Sequence, residues 1–174
     1  MNPTAGPEAR VRLGALQPAP GGGWLVEAGA LPAAIPLDVT EASCRGRLLR
    51  QAAAAARAAG LTHLATAEMG AGLPAGTLAQ LAAAAAAYPE ALVIATPPAL
   101  KASPGQTLAR FWLRLQTGAV LADPRCGRRV YPLWLLAHLR LRVSGTLADT
   151  EVLVKTIWAG VAVRETRSEE HTSE

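Results

Sequence analysis

Large aromatic side chains are scarce in this sequence: one Phe, two Tyr and four Trp among 174 residues. A core has to be assembled from Leu, Val, Ile and alanine, with few bulky residues to specify its packing. Cysteine is nearly absent. Cys44 and Cys126 show no C-x-x-C spacing and no paired histidines nearby, which argues against zinc and leaves a reduced cytosolic pair as the default. No apolar run reaches the ~18 residues that would span a bilayer, and the first twenty residues hold no apolar signal-peptide stretch. The expectation is a cytoplasmic protein, or one peripheral to the inner face of a membrane.

What is plentiful is alanine, in runs, within a composition that is 51% hydrophobic. That much apolar surface in a chain of this length suffices for a single domain with one core. Residues 1–23 read as a loosely structured, turn-rich segment. WLVEAG (24–29) and IPLDVT (35–40) are candidate strands, Arg47 to Ala59 a helix closed by Gly60, and THLATA (62–67) a strand. Thr77 to Tyr88 is a second helix stopped by Pro89, and ALVIAT (91–96) reads as a strand buried on both faces. Alternation of strand and helix points to an α/β fold with a mainly parallel sheet flanked by helices. Beyond a breaker-rich loop, 97–106, helices are expected over 108–118, 131–142 and 149–160, and a strand from Val161.

Charge is unevenly spread. Between Arg110 and Arg142 lie seven arginines and one acid, Asp123. The guanidinium fork matches two phosphate oxygens, so an anion is the natural partner of such a stretch. Basic residues are not interleaved with aromatics along the whole chain and no known nucleic-acid motif is present, so nucleic acid is not an expected partner.

Three segments in order carry a resemblance. RFWLRLQTG (110–118), DPRCGRRVYP (123–132) and DTEVLVKTIWAGV (149–161) are similar to the N-F-W-x-R-L-x-T-G, D-T-Q-S-G-[FY]-R-x-Y-P and [DE]-x-E…G-[VI] motifs of family 2 glycosyltransferases of the dolichol and polyprenol phosphate sugar transferase type. The resemblance covers roughly Leu25 to Thr166. It implies a GT-A-like domain over 24–166, abbreviated in its N-terminal half, that transfers a sugar from a nucleotide sugar to a lipid phosphate or hydroxyl acceptor. A Mg²⁺ or Mn²⁺ held by carboxylates would neutralise the leaving diphosphate. The last eight residues, RSEEHTSE (167–174), resemble the translation of a DNA sequencing adapter and are set aside as an artefactual tail, so the natural chain is expected to continue past Thr166.

By matching position, Asp123 and Glu151 are the candidate catalytic acids, and Glu27, Arg45, Arg128, Arg129 and Tyr131 the candidate substrate-binding residues. The metal motif departs from the family. Its two aspartates fall on Ala67 and Met69, and the one acid present, Glu68, stands at the spacer position as the single candidate metal ligand. Two readings stay open: an active transferase using Mg²⁺ or Mn²⁺, or a catalytically inactive relative, with no cofactor, that binds an anionic lipid or protein partner through its arginine-rich face. A membrane surface is a further candidate partner, because Trp134 lies close to Arg140 and Arg142. Plainer roles suit other residues. His63 and His138 read as hydrogen-bonded structural histidines, Trp112, Trp134 and Trp158 as core anchors, and Asp149 with Glu151 as first-turn acids favoured by the helix dipole.

Overall fold

The computed structural model describes residues 11–19, 24–28, 35–37, 45–68, 72–97, 103–142 and 147–167. Seven strands, β1 (Leu13–Pro18), β2 (Trp24–Glu27), β3 (Ile35–Leu37), β4 (His63–Thr66), β5 (Leu92–Thr96), β6 (Arg129–Pro132) and β7 (Val163–Arg167), form one sheet in the order β3-β2-β1-β4-β6-β5-β7. Among the described residues five helices accompany it: α1 (Arg45–Ala58), α2 (Ala75–Ala87), α3 (Pro104–Thr117), α4 (Leu133–His138) and α5 (Ala148–Trp158). The α/β class is as the sequence indicates.

Alanine sets how closely the layers approach. One sheet face presents Ala15, Ala65 and Ala95 with Val93 and Val130, and α2 lies on it through Leu81 and Ala85. Small side chains on both surfaces leave no room for bulk, so shape match rather than large residues fills this layer. The opposite face carries the larger aliphatic residues. Leu16, Val26, Leu64 and Ile94 pack there against Leu48 and Leu49 of α1, Leu135 of α4 and Leu153 of α5. The outermost helix, α3, packs on α5. Gly60 and Gly118 end α1 and α3 in the left-handed region, φ 75° and 73°, where a side chain would be strained.

The sheet is mixed, which corrects the expectation of mainly parallel pairing. Only β1–β4 and β5–β7 pair in parallel, while β1–β2, β2–β3, β4–β6 and β5–β6 are antiparallel. Five residues join β1 to β2, too few for a crossover, so that pair has to be a hairpin. The chain enters β6 from a turn lying over the ends of β4 and β5, and therefore runs back against both. Two strands were hidden from the sequence reading. Leu13–Pro18, within the segment read as loose, is β1 and belongs to the sheet. Arg129–Pro132 is β6, where a helix was expected to begin; Pro132 ends the strand and the helix starts at Leu133. Strand β7 runs through Arg167, the first residue of the supposed tail. Residues 1–10, 38–40, 98–102 and 168–174, and with them part of the expected second strand, of the breaker-rich loop and of the tail, lie outside the described residues, as does Cys44.

The tryptophans expected as core anchors are not in the core: Trp112, Trp134 and Trp158 are 50%, 41% and 65% exposed. Among the described residues no helix is long and apolar enough to cross a membrane.

His63 does have the structural role expected. It is buried on β4, with Nε2 2.9 Å from the Pro89 carbonyl and Nδ1 2.9 Å from the Thr62 hydroxyl. The carbonyl can only accept, so Nε2 carries a proton and donates. Burial lowers the pKa of the ring, although the Pro89 carbonyl and Glu90 act in the opposite direction. A folded pKa below the unfolded value of about 6.5 means that this contribution is complete above that value and is lost as pH falls beneath it. Thermal melts should accordingly show stability declining as the pH drops below ~6.5, and His63→Asn should remove that part of the slope, whatever its effect at neutral pH.

Candidate functional site

The site is built around the turn that connects α3 to β6. Asp123 starts it by accepting from the Arg125 backbone N–H through Oδ1 at 3.0 Å, while its own carbonyl accepts from the Cys126 N–H at 3.3 Å. This side-chain-to-backbone closure is a common reason for Asp at a turn. The other oxygen, Oδ2, accepts from Gln106 Nε2 at 3.4 Å. Gln106 also forms the capping box of α3 with Ser103, so the start of that helix is tied to the turn. Gly127 then passes close over the end of β4: a Cβ there would lie 3.0 Å from Glu68 Cα and 3.2 Å from the Ala67 carbonyl. Its carbonyl accepts from Thr66 Oγ1 at 2.8 Å and from Arg45 Nη2 at 3.4 Å.

Beneath the turn lies a network of four side chains. Arg45, 1% exposed at the start of α1, donates through Nε to Asp149 Oδ2 at 3.1 Å and Oδ1 at 3.3 Å. Tyr131 donates its hydroxyl to the same Oδ1 at 3.2 Å. Fully buried Arg129 donates to three carbonyls: Cys126 at 2.6 Å, Asp149 at 2.6 Å and Pro124 at 2.8 Å. Burial would lower the Arg129 pKa; Tyr131 and Asp149 outweigh that effect, so the pKa is raised and the guanidinium stays charged. Burial, reinforced by Asp149, pushes Tyr131 up to about 12. Burial likewise pushes the Cys126 thiol up to about 11, and Sγ donates to the Ala95 carbonyl at 3.0 Å. Such a thiol is inert packing, not a nucleophile.

The geometry places each of the sequence candidates. Arg45, Arg129 and Tyr131, candidates for substrate contact, are interior and bonded to the protein itself, which compensates the buried charges. Glu151, a catalytic candidate, pairs its carboxylate with Lys155 Nζ at 2.6 Å and accepts from the Arg142 N–H at 2.8 Å. Glu27 is in register with Ala15, which faces α2, so it stands on the opposite side of the sheet from Tyr131. Arg128 is half-buried just before β6, where its carbonyl accepts from the Ala95 N–H. Glu68 and Asp123 are brought together, flanking Cys126 and Gly127, with Glu68 exposed and Asp123 buried. His138 is exposed, and its Nδ1 lies 2.7 Å from the Trp134 carbonyl one helical turn back.

The described residues offer a divalent cation little: Glu68 brings one exposed carboxylate and both oxygens of Asp123 already accept protein hydrogen bonds, so a cation held here would draw its remaining oxygen ligands from substrate phosphates and water. Among the described residues no group of three or more His, Cys, Asp or Glu is placed to hold a metal; Met69, Gly70 and Ala71, next to Glu68, lie outside them.

A groove of about 440 Å³ opens beside the network, between α3 and α5. Leu108, Trp112, Leu113 and Val154 form its apolar walls, and Arg125, beside Gly105, stands with Asp149 and Thr150 near the starts of the two helices. Asp149, the hub of the whole arrangement, was missed by the sequence reading, which treated it as a dipole-favoured acid. The signal was available: it is the first acid of the D-x-E segment, the position chosen being the second. Replacing Asp149 by Asn leaves Arg45 buried without a counter-ion and should cost about 3–5 kcal/mol. Tyr131→Phe, which removes one donor to a carboxylate that retains another, should cost about 1 kcal/mol. Urea denaturation of the two variants measures both.

Compared with protein-family models, curated proteins and solved structures, the chain finds no match.

Proposed function

We propose that this chain is a glycosyltransferase-like domain that holds a phosphorylated, lipid-type ligand without activating a sugar donor. The observation that supports it is the chemistry of the α3–α5 groove, in which apolar walls lead to an exposed guanidinium, Arg125. A hydrocarbon tail suits the walls, and a phosphate suits the cation through charge-assisted hydrogen bonds. The acid in the groove, Asp149, is already neutralised by Arg45. The oxygens of Asp123 and Glu151 are engaged in holding the turn and the 142 segment, so neither is free to serve as a base.

A second reading, the active transferase, draws on one feature: Glu68 lies against Gly127 in the same turn as Asp123, at the end of a sheet strand. In that reading Glu68 would meet a nucleotide sugar and its metal.

Calorimetric titration separates the two. Geranyl phosphate should bind and geraniol should bind more weakly, with Arg125→Ala weakening geranyl phosphate about tenfold, the loss of one charge-assisted contact, while geraniol is unaffected. Nucleotide sugars with Mn²⁺ should give no isotherm. Metal-dependent nucleotide-sugar binding that Glu68→Gln abolishes would overturn the proposal in favour of the active enzyme.

A further inference from the structure

Among the described residues, most of the large apolar side chains that stay exposed lie on or beside α3. On α3 they are Leu108, Phe111, Trp112 and Leu115, and Trp158 of α5 lies alongside, its indole N–H donating to the Gln116 carbonyl at 3.2 Å. The spacing i, i+3, i+4, i+7 puts the four α3 residues within an arc of about 100°, centred about 150° from Leu113. Leu113 is the one fully buried residue of the helix. Helix α3 thus has two apolar stripes, a narrow one bound to the protein and a broad one turned away from it. An exposed stripe of this size and pattern marks an interaction surface.

Charge decides what covers it. The helix carries Arg110 and Arg114 and no acid. Arg110 is anchored by its Nε to the Ala122 carbonyl at 2.6 Å, whereas Arg114 is exposed at the flank of the broad stripe. A second copy docking through the same helix would set like charges against each other with no acid on the helix to offset them. An anionic lipid surface has the opposite complementarity: Phe, Trp and Leu enter the acyl boundary while arginines at the flank reach the headgroups.

We infer that α3 is an in-plane membrane helix, lying on an anionic lipid surface through Leu108, Phe111, Trp112 and Leu115, with Arg114 at headgroup level. This surface shares Leu108 and Trp112 with the groove wall but extends beyond it through Phe111 and Leu115, and it stands whether or not the groove takes a lipid phosphate. It would bring the groove, whose wall includes Leu108 and Trp112, to the bilayer boundary.

Flotation with phosphatidylcholine–phosphatidylglycerol vesicles, using the full chain, tests it. The protein should float with the anionic vesicles, less with phosphatidylcholine alone, and binding should weaken as salt is raised. Phe111→Ser with Leu115→Ser, two exposed positions that do not line the groove, should lower vesicle partition by about tenfold or more while leaving the thermal melt and the geranyl phosphate isotherm unchanged. Brominated lipid should quench tryptophan fluorescence, and Trp112→Phe should remove much of that quenching. Equal flotation of the double variant would overturn the inference. So would absence of vesicle binding together with a concentration-dependent dimer that the double variant abolishes. Loss of the geranyl phosphate isotherm with vesicle binding intact would instead defeat the groove reading and leave this one standing.

Discussion

The Asp149 carboxylate is the point on which this structure depends. Taking an ion out of water costs several kcal/mol even after relaxation, and Asp149 offsets that cost by receiving Arg45 from α1 and Tyr131 from β6 together. Its backbone carbonyl takes Arg129 as well. One residue at the start of α5 thereby fastens α1 to a strand, β6, and the turn before it, both far from α1 in sequence. Because α3 rests on α5, the position of the outer helix and of the groove follows from this buried pair.

A second constraint is size. Alanine on α2 and on the facing strands allows close layering without large residues. Trp112, Trp134 and Trp158 all have substantial exposure. A chain with so few aromatics that leaves Trp112 and Trp158 at its surface forgoes a large burial energy in folding, which each such ring would contribute if covered.

The arginine-rich stretch divides along the same line. Arg129 is scaffold, holding the 124–126 turn closed, and Arg110 is tied to Ala122. Arg114, Arg125, Arg140 and Arg142 are exposed, the first beside the broad apolar stripe of α3 and the second in the groove. The proposed lipid-directed role therefore rests on Arg114 and Arg125, the two exposed guanidinium groups that stand beside the α3 stripe and the groove, and less on the total basic charge of the segment.

Local chemistry made much of the fold legible. Alanine runs ended by Gly60, the Pro89 stop and the continuous apolar run of β5 placed α1, α2 and β5 within a residue or two, because these signals act over a few residues. The sequence reading missed β1 and β6, whose strand character comes from neighbours: β6 contains Arg129 and Pro132 and exists because β4 and β5 pair with it on either side. The same limit governed the site. The composition of 110–142 determined by itself that positive charge and aromatic area would coincide. Only the tertiary structure decided that Arg45, Arg129 and Tyr131 face inward and Phe111 and Trp112 outward, since burial of a side chain depends on which distant surface meets it, and sequence spacing does not encode that meeting.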